Sequence, residues 1–319
     1  MPPAAFDYSS LRGKSALVTG AGGFIGAHLC RLLQRHGAVV HALNRRSKPD
    51  APCDREWVID AAELAPLRRL FEEEKPDYVF HLASHVSGSR ELSAILPTFR
   101  DNLATSVNLL TLATEFGCRR IVLAGSLEEA ATGEISGVVP ASPYAVAKLS
   151  QTFYARTFQA LYGTPVVTAR IFMVYGPGQW DLKKLIPYVT VSLLSGKSPR
   201  LGPGTRPVDW VYVDDVAEGL ARAAIVPGVL GRAVDLGTGE LTLVRSVVEQ
   251  LGLLIASGGA PQIGALPDRP AEQVRVADPA ATRAVLGFAP STSLAEGLER
   301  TVAWYRAKLA AREIDPEKL

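Results

Sequence analysis

Short apolar runs recur through the first half of the chain at residues 16–18, 39–43, 57–60, 78–83, 121–125 and 166–171. Each is too short for a helix and is bounded by polar or glycine-containing segments, so each reads as a buried strand. Between them the apolar residues take helical spacing, as at Leu29, Leu32 and Leu33, and again at Leu103, Val107 and Leu110 within a helix expected over 97–116. Another helix is expected to begin near Tyr144, after a loop holding Pro140 and Pro143. Strands alternating with helices, and apolar on both faces, predict a parallel sheet covered by helices on each side.

The second half is less regular. Helical patterns cover 185–194, 275–287 and 294–309, and strand patterns cover 210–213 and 233–237. Asp214-Asp215 stands where it can cap the helix that follows. The predicted fold class is α/β: a Rossmann-type doubly wound parallel sheet with a smaller C-terminal substrate lobe. Residues 1–176 are expected to form the larger domain, with 209–237 returning to it, and 177–208 with 238–319 the lobe. A length of 319 residues fits one large domain plus a smaller one.

The stretch Val18-Thr19-Gly20-Ala21-Gly22-Gly23-Phe24-Ile25-Gly26 joins the first strand to the first helix. Glycine lets the backbone approach a pyrophosphate, and the helix N-terminus presents N–H groups and the positive end of its dipole. Gly20, Gly23 and Gly26, with Phe24 and Ile25 between the last two, are the expected dinucleotide site. The second strand ends in Asn44-Arg45-Arg46, without the acid that holds a ribose 2′-hydroxyl in NAD-binding folds. Guanidinium groups pair with a 2′-phosphate, so NADP is favoured over NAD.

Tyr144 and Lys148 are four residues apart and share one helix face. A tyrosine with a pKa near 10 needs about 4 kcal/mol of help to act as a base at neutral pH. A neighbouring ammonium and an oxidised nicotinamide can supply it. Tyr144 is then the acid/base, and Ser126, at the end of the fifth strand, positions the same substrate oxygen.

These features, with Phe80-His81-Leu82-Ala83, Asn102, Arg170 to Pro177, Asp209 to Asp215, Arg269-Pro270 and Leu286-Gly287, resemble the extended short-chain dehydrogenases of the nucleotide-sugar epimerase, dehydratase and reductase branch. The resemblance covers nearly the whole chain. It implies a catalytic set of Ser126, Tyr144 and Lys148, with Lys148 also on the nicotinamide ribose. It implies Asp60 and Ala61 beside the adenine, and Leu82, Ala83 and Ser84 along the cofactor. Val86, Ser126, Met173, Leu185, Arg206 and Arg269 would contact a nucleoside-diphosphate sugar, and helices near 97–116 and 143–162 would form a homodimer. Glu128 matches a glutamate of the family's dehydratases that removes a proton beside a new ketone. Glu128 and Glu129 read equally well as solvated loop acids.

Three departures bear on substrate. Leu127 stands where many dehydratases carry an acid or a hydroxyl. Met173 replaces a substrate-binding asparagine, and Val208 replaces an arginine, with Arg206 two residues earlier. An epimerase or dehydratase acting at a hexose C4 is the leading reading. A ketoreductase consuming NADPH on a 4-keto sugar, or a reductase of a non-nucleotide carbonyl, is the alternative.

Composition narrows the partners. A net charge of +2 without a basic block argues against nucleic acid or an anionic membrane surface. No run of about 18 apolar residues is present, and the N-terminal ten residues lack a signal-peptide pattern. Cys30, Cys53 and Cys118 are sparse and odd in number, which points to a reducing, cytoplasmic setting. The five histidines lack metal-ligand spacing, so no metal is expected.

Overall fold

The computed structural model describes residues 6–86, 88–129, 139–256, 259–267 and 274–319. Its strands are β1 (Ser15–Thr19), β2 (Val39–Asn44), β3 (Arg55–Val58), β4 (Tyr78–His81), β5 (Arg120–Ser126), β6 (Val166–Ile171), β7 (Met173–Tyr175), β8 (Pro207–Tyr212), β9 (Ala233–Leu236) and β10 (Leu241–Leu243). Its α-helices are α1 (Phe24–Arg35), α2 (Leu64–Glu74), α3 (Ile95–Thr98), α4 (Thr105–Glu115), α5 (Pro143–Tyr162), α6 (Leu185–Leu194), α7 (Val213–Ile225), α8 (Val244–Ile255), α9 (Pro279–Leu286) and α10 (Leu294–Ala310).

Contacts divide the chain into two compact units. The first holds residues 1–171, 217–235 and 280–288, and the second holds 172–216, 236–279 and 289–319. The sequence reading returned 209–237 to the first domain and left 280–288 in the lobe. The boundary falls instead inside α7, and α9 belongs with the first unit.

The first unit is built on a seven-stranded sheet in the order β3-β2-β1-β4-β5-β6-β9. The pairs from β3 through β6 are parallel. The order reverses direction between β1 and β4, the switch point beyond whose carboxyl ends ligands bind in such sheets. β1 and β4 are buried almost throughout, as strands covered on both faces must be. One core joins Leu67, Leu70 and Phe71 of α2, Leu109, Leu110 and Leu112 of α4, and Ile121 and Leu123 of β5.

Helix α5 shows how local sequence sets an element that matters later. Ser142 caps it, its hydroxyl accepting from the Ala145 N–H at 3.1 Å. Pro143 occupies the first helical position, where its missing N–H is no loss. Gly163 ends the helix at φ 67°, the left-handed conformation glycine takes freely.

Several boundaries differ from the sequence reading. The third strand lies at Arg55–Val58 and ends before Asp60. The segment read as one helix over 97–116 is a 3-10 turn at Leu92–Ala94, then α3, then a wide π-turn over Phe99–Ala104, then α4. Periodicity misses the wide turn because it inserts one residue without disturbing the apolar spacing on either side. Val213 begins α7, so Asp214 and Asp215 lie inside its first turn and do not precede it. Asp215 instead accepts from the backbone N–H groups of Ser291 and Thr292 at 3.1 Å each. The helix expected over 275–287 begins at Pro279.

The second unit carries a three-stranded sheet, β10-β8-β7, with β7 and β8 parallel and β10 antiparallel. Its core joins Tyr175, Ile186, Val189, Trp210, Val247, Leu251, Leu298 and Val302. Buried Asp209 organises the loop after β9, accepting from the N–H groups of Thr238 at 2.8 Å, Gly239 at 2.9 Å and Ala277 at 3.0 Å.

Candidate active site

The site starts at the turn after β1. Gly20 has φ +70°, and a Cβ there would stand 3.0 Å from the Ala83 nitrogen. A Cβ on Gly26 would overlap the Gly20 carbonyl oxygen and sit 2.9 Å from the Ala21 Cα. Only glycine fits either position without moving backbone. Gly23 holds the N-cap position of α1 in extended conformation, with Phe24, Ile25 and Gly26 in the first turn. The N–H groups of a first turn have no intrahelical partner, and no side chain caps them. The cradle therefore fits the diphosphate of a dinucleotide.

At the switch point Thr19 ties β1 to β4. Its hydroxyl oxygen accepts from the N–H groups of Leu82 at 3.1 Å and Ala83 at 3.0 Å. With both lone pairs used, the hydroxyl proton goes to His81 Nδ1, 2.8 Å away. The neutral His81 ring then carries its own proton on Nε2. Complete burial, helped by the charge of Lys148, pushes His81 down to about 3. This tie fixes the backbone of Leu82 and Ala83 just beyond the end of β4.

The far end of the cradle is more polar than the sequence implied. Asn44 Oδ1 accepts from the Gly22 N–H at 3.3 Å, and Asn44 Nδ2 donates to Glu56 Oε1 at 2.9 Å. Glu56 also accepts from the Ser47 hydroxyl at 2.9 Å and the Lys48 N–H at 2.8 Å. These bonds, Asn44 first, hold its carboxyl below the usual range. The Lys48 side chain lies against Gly22. Arg45 reaches away to Asp101 at 2.7 Å, while Arg46 is exposed and makes no ion pair among the described residues. Asp60 accepts from the Ala62 N–H at 3.0 Å and pairs with Arg100 at 2.8 Å. The Ala61 carbonyl accepts from Asn108 Nδ2 at 3.2 Å.

Tyr144 is the second residue of α5 and Lys148 lies one turn on, both buried. The Ser126 and Ser84 side chains are near enough to Tyr144 to favour its ionised form. Burial pushes Tyr144 up to about 12, opposed by the nearby Ser126 hydroxyl and abetted by Glu128 and Glu129. Lys148 Nζ donates to the Ala124 carbonyl at 2.7 Å and stands 5.9 Å from the Tyr144 ring centre. Burial pushes Lys148 down to about 8, opposed by Glu129. The polypeptide alone therefore keeps this phenol protonated at neutral pH.

Asn102, which lies in the π-turn, was named in the sequence only as part of a resemblance. Its Oδ1 accepts from the Ser84 hydroxyl at 3.1 Å and from the His85 N–H at 2.6 Å. Its carbonyl accepts from Ser106, whose hydroxyl lies 2.9 Å from Gln151 Oε1. Gln151 Nε2 donates in turn to the same Ala124 carbonyl that Lys148 holds. A continuous buried chain thus links the Ser84 loop to the lysine.

Of the two neighbouring acids, Glu128 is half-buried and Glu129 fully buried. The Glu128 N–H donates to Ser126 Oγ at 3.1 Å, and Glu128 Oε2 accepts from the Ser142 hydroxyl at 3.3 Å. The reading of Glu129 as a solvated loop acid does not hold. Its Oε1 accepts from the Ser126 N–H at 2.7 Å and its Oε2 from the Thr152 hydroxyl at 2.8 Å.

Val86 is 61% exposed. Met173, Leu185 and Arg206 belong to the second unit, where Met173 and Leu185 pack against its apolar core. Arg269 lies outside the described residues. Among the described residues there is no cluster of histidine, cysteine or carboxylate side chains able to hold a metal ion, and no helix is long and apolar enough to cross a membrane.

Comparison with known proteins agrees with this architecture. Residues 16–236 match the profile of the NAD dependent epimerase/dehydratase family. The chain is 34% identical to a dTDP-glucose 4,6-dehydratase of Streptomyces griseus, over 91% of this chain and 93% of that one. It is 30% identical to a UDP-glucose 4-epimerase of Mycolicibacterium smegmatis, over 92% and 98%. Among solved structures, the UDP-glucose 4-epimerase of Thermotoga maritima with UDP-glucose superposes with a TM-score of 0.84 at 27% identity, over 92% and 99%. The Bordetella bronchiseptica enzyme WbmF with NAD+ and UDP does so with 0.82 at 27%, over 98% of each chain. With its glycine cradle at the sheet's switch point and its buried Tyr144–Lys148 pair, the chain belongs to the NAD-dependent epimerase/dehydratase family of extended short-chain dehydrogenases.

Proposed function

We propose that the protein modifies the hexose of a nucleoside-diphosphate sugar by moving a hydride at C4, with Tyr144 as the acid/base. The observation that carries this reading is the buried Tyr144 one helical turn from buried Lys148, with Ser126 and Ser84 near enough to act on its ionisation. Two relatives act, by their names, on dTDP-glucose and UDP-glucose. A bound oxidised nicotinamide would supply the hydride acceptor and a positive charge that favours the ionised form of Tyr144. Tyr144 then takes the C4 hydroxyl proton or returns it, and Ser126 holds the same oxygen. Lys148 steadies the phenolate. Glu128, whose carboxylate accepts from Ser142, takes the proton from C5 once C4 is a ketone if the reaction is a 4,6-dehydration.

The finer cofactor choice rests on few charges. Arg46 and Lys48 favour the 2′-phosphate of NADP, but Glu56 sits under Asn44 and opposes it, and Arg45 is engaged by Asp101. The first unit also presents apolar side chains on two elements packed together, the segment 92–104 and α5. Leu96 is 77% exposed and Phe99 54%. Patches of this kind mark association surfaces, and they support a homodimer built on these helices.

The test is incubation of purified protein with NAD or NADP and with dTDP-glucose and UDP-glucose, following 4-keto product and C4 inversion separately. Tyr144→Phe should lose turnover by about a hundredfold or more while still binding cofactor. Full turnover in that variant, or no reaction or binding with any nucleoside-diphosphate sugar, refutes the reading.

A further inference from the structure

Glu129 is a carboxylate of this buried cluster that the proposed chemistry does not use. It is 1% exposed, and a carboxylate this dry must be paired or lose its charge. Its position is built rather than incidental. A Cβ on Gly125 would stand 2.5 Å from Glu129 Oε1, so the strand carries a glycine where the carboxylate lies. The Ser126 N–H and the Thr152 hydroxyl hold its two oxygens. Thr152 and Lys148 are four residues apart on α5, hence on one face, so the carboxylate sits between the end of β5 and the helix face that carries the lysine.

The charges facing the pair are few. Arg170 approaches Glu129 from β6, but its guanidinium is bound to Asp235 at 2.6 Å. His81 faces Lys148 from β4 and is held neutral. Tyr144 lies on the same helix with its proton on. Glu129 is the carboxylate whose field acts on Lys148. Burial raises the Glu129 carboxyl above its ordinary value, opposed by Thr152, by Ser126 and by the two cations.

We propose that Glu129 is a positioning residue, the buried counter-charge that keeps Lys148 an ammonium while fixing the backbone of Ser126. It acts through Lys148 and Ser126 and touches neither substrate nor cofactor. The inference rests on the Tyr144–Lys148 reading above, but its readout needs no substrate.

The test is the titration of the Lys148 ε-carbon by NMR in lysine-labelled full-length protein, with the resonance assigned by its loss in Lys148→Met. In Glu129→Gln, which keeps the shape and loses the charge, the Lys148 midpoint should fall by about one pH unit or more. Glu129→Asp should recover part of that shift. In an active preparation the alkaline limb of kcat should move down by the same amount, with the KM for cofactor less affected. If Glu129→Gln does not fold, the wild-type glutamate δ-carbon provides the second measurement. The Glu129 resonance should step at the pH where Lys148 loses its proton. A folded Glu129→Gln whose Lys148 midpoint stays within about 0.3 units of wild type, or a Glu129 resonance blind to Lys148, overturns the proposal. A chain inactive on every sugar nucleotide whose Lys148 still responds would sink the proposed function alone.

Discussion

Replacing Gly26 by alanine separates the demands of the helix from those of the diphosphate. Gly26 sits in the first turn of α1 without a positive φ, so helix propensity alone favours alanine by about 1 kcal/mol. The new methyl would overlap the Gly20 carbonyl oxygen and press the Ala21 Cα at 2.9 Å. Both obstacles are backbone and neither can swing aside. Overpacking of this kind costs about 1–3 kcal/mol, so the net loss of stability should be no more than about 2 kcal/mol. Binding should suffer more. Relief of the overlap moves the turn against the helix, and misaligning two charge-assisted N–H contacts to phosphate costs about 3–6 kcal/mol. That is a loss of at least about a hundredfold in affinity. Urea denaturation measures the first quantity and titration with NADH or NADPH the second. Gly20→Ala should add about 1–2 kcal/mol for its left-handed backbone, and so lose more stability than Gly26→Ala. A folded Gly26→Ala that binds both cofactors within about threefold of wild type would show that the pyrophosphate does not lie in this turn.

Three further outcomes are expected. Glu56→Gln removes the anion under Asn44 and should shift the ratio of KM values toward NADP by about tenfold, the effect of about 1.4 kcal/mol; an unchanged ratio would place the 2′ position elsewhere. His81 is depressed from 6.5 to about 3 by burial, so the unfolded chain takes up its proton first as pH falls. The stability that depends on it is therefore intact above pH 6.5 and lost toward pH 3, by up to about 1.4 kcal/mol per pH unit; His81→Gln should flatten the pH dependence of urea unfolding between pH 6.5 and 4.5, and identical slopes would contradict the assignment. Leu96→Asp with Phe99→Asp should shift the sedimentation of a dimer to that of a monomer without unfolding it, and a dimer that survives both changes lies on another surface.

The parts of the site that were legible in the sequence are those where backbone geometry dictates residue type. A turn that excludes Cβ must be glycine, and a helix opened by Ser142-Pro143 displays Tyr144 and Lys148 at a spacing anyone can count. The illegible parts depend on which side chain meets which. Glu128 and Glu129 are chemically alike on paper. The fold buries one and half-exposes the other, and the only hints were Gly125 beneath Glu129 and Thr152 one turn beyond Lys148. Arg45 and Arg46 looked like a matched pair until Asp101, more than fifty residues away, claimed the first. The Glu56 carboxylate escaped notice because it reaches the cradle from β3, through Asn44, and not from the end of β2. Strand β3, which is only partly buried, was misplaced by two residues because its apolar pattern is weak.

The wide turn over Phe99–Ala104 has a consequence for anyone who would stabilise this protein. One residue advances an α-helix by about 100°, so excising one from this segment would tidy the helix and rotate its two ends against each other. Asn102 would leave Ser84 and His85, or Ser106 would leave Gln151. The irregular stretch is the clutch that lets two helical registers serve a single polar relay, and a hardier protein made by smoothing it should come out catalytically mute.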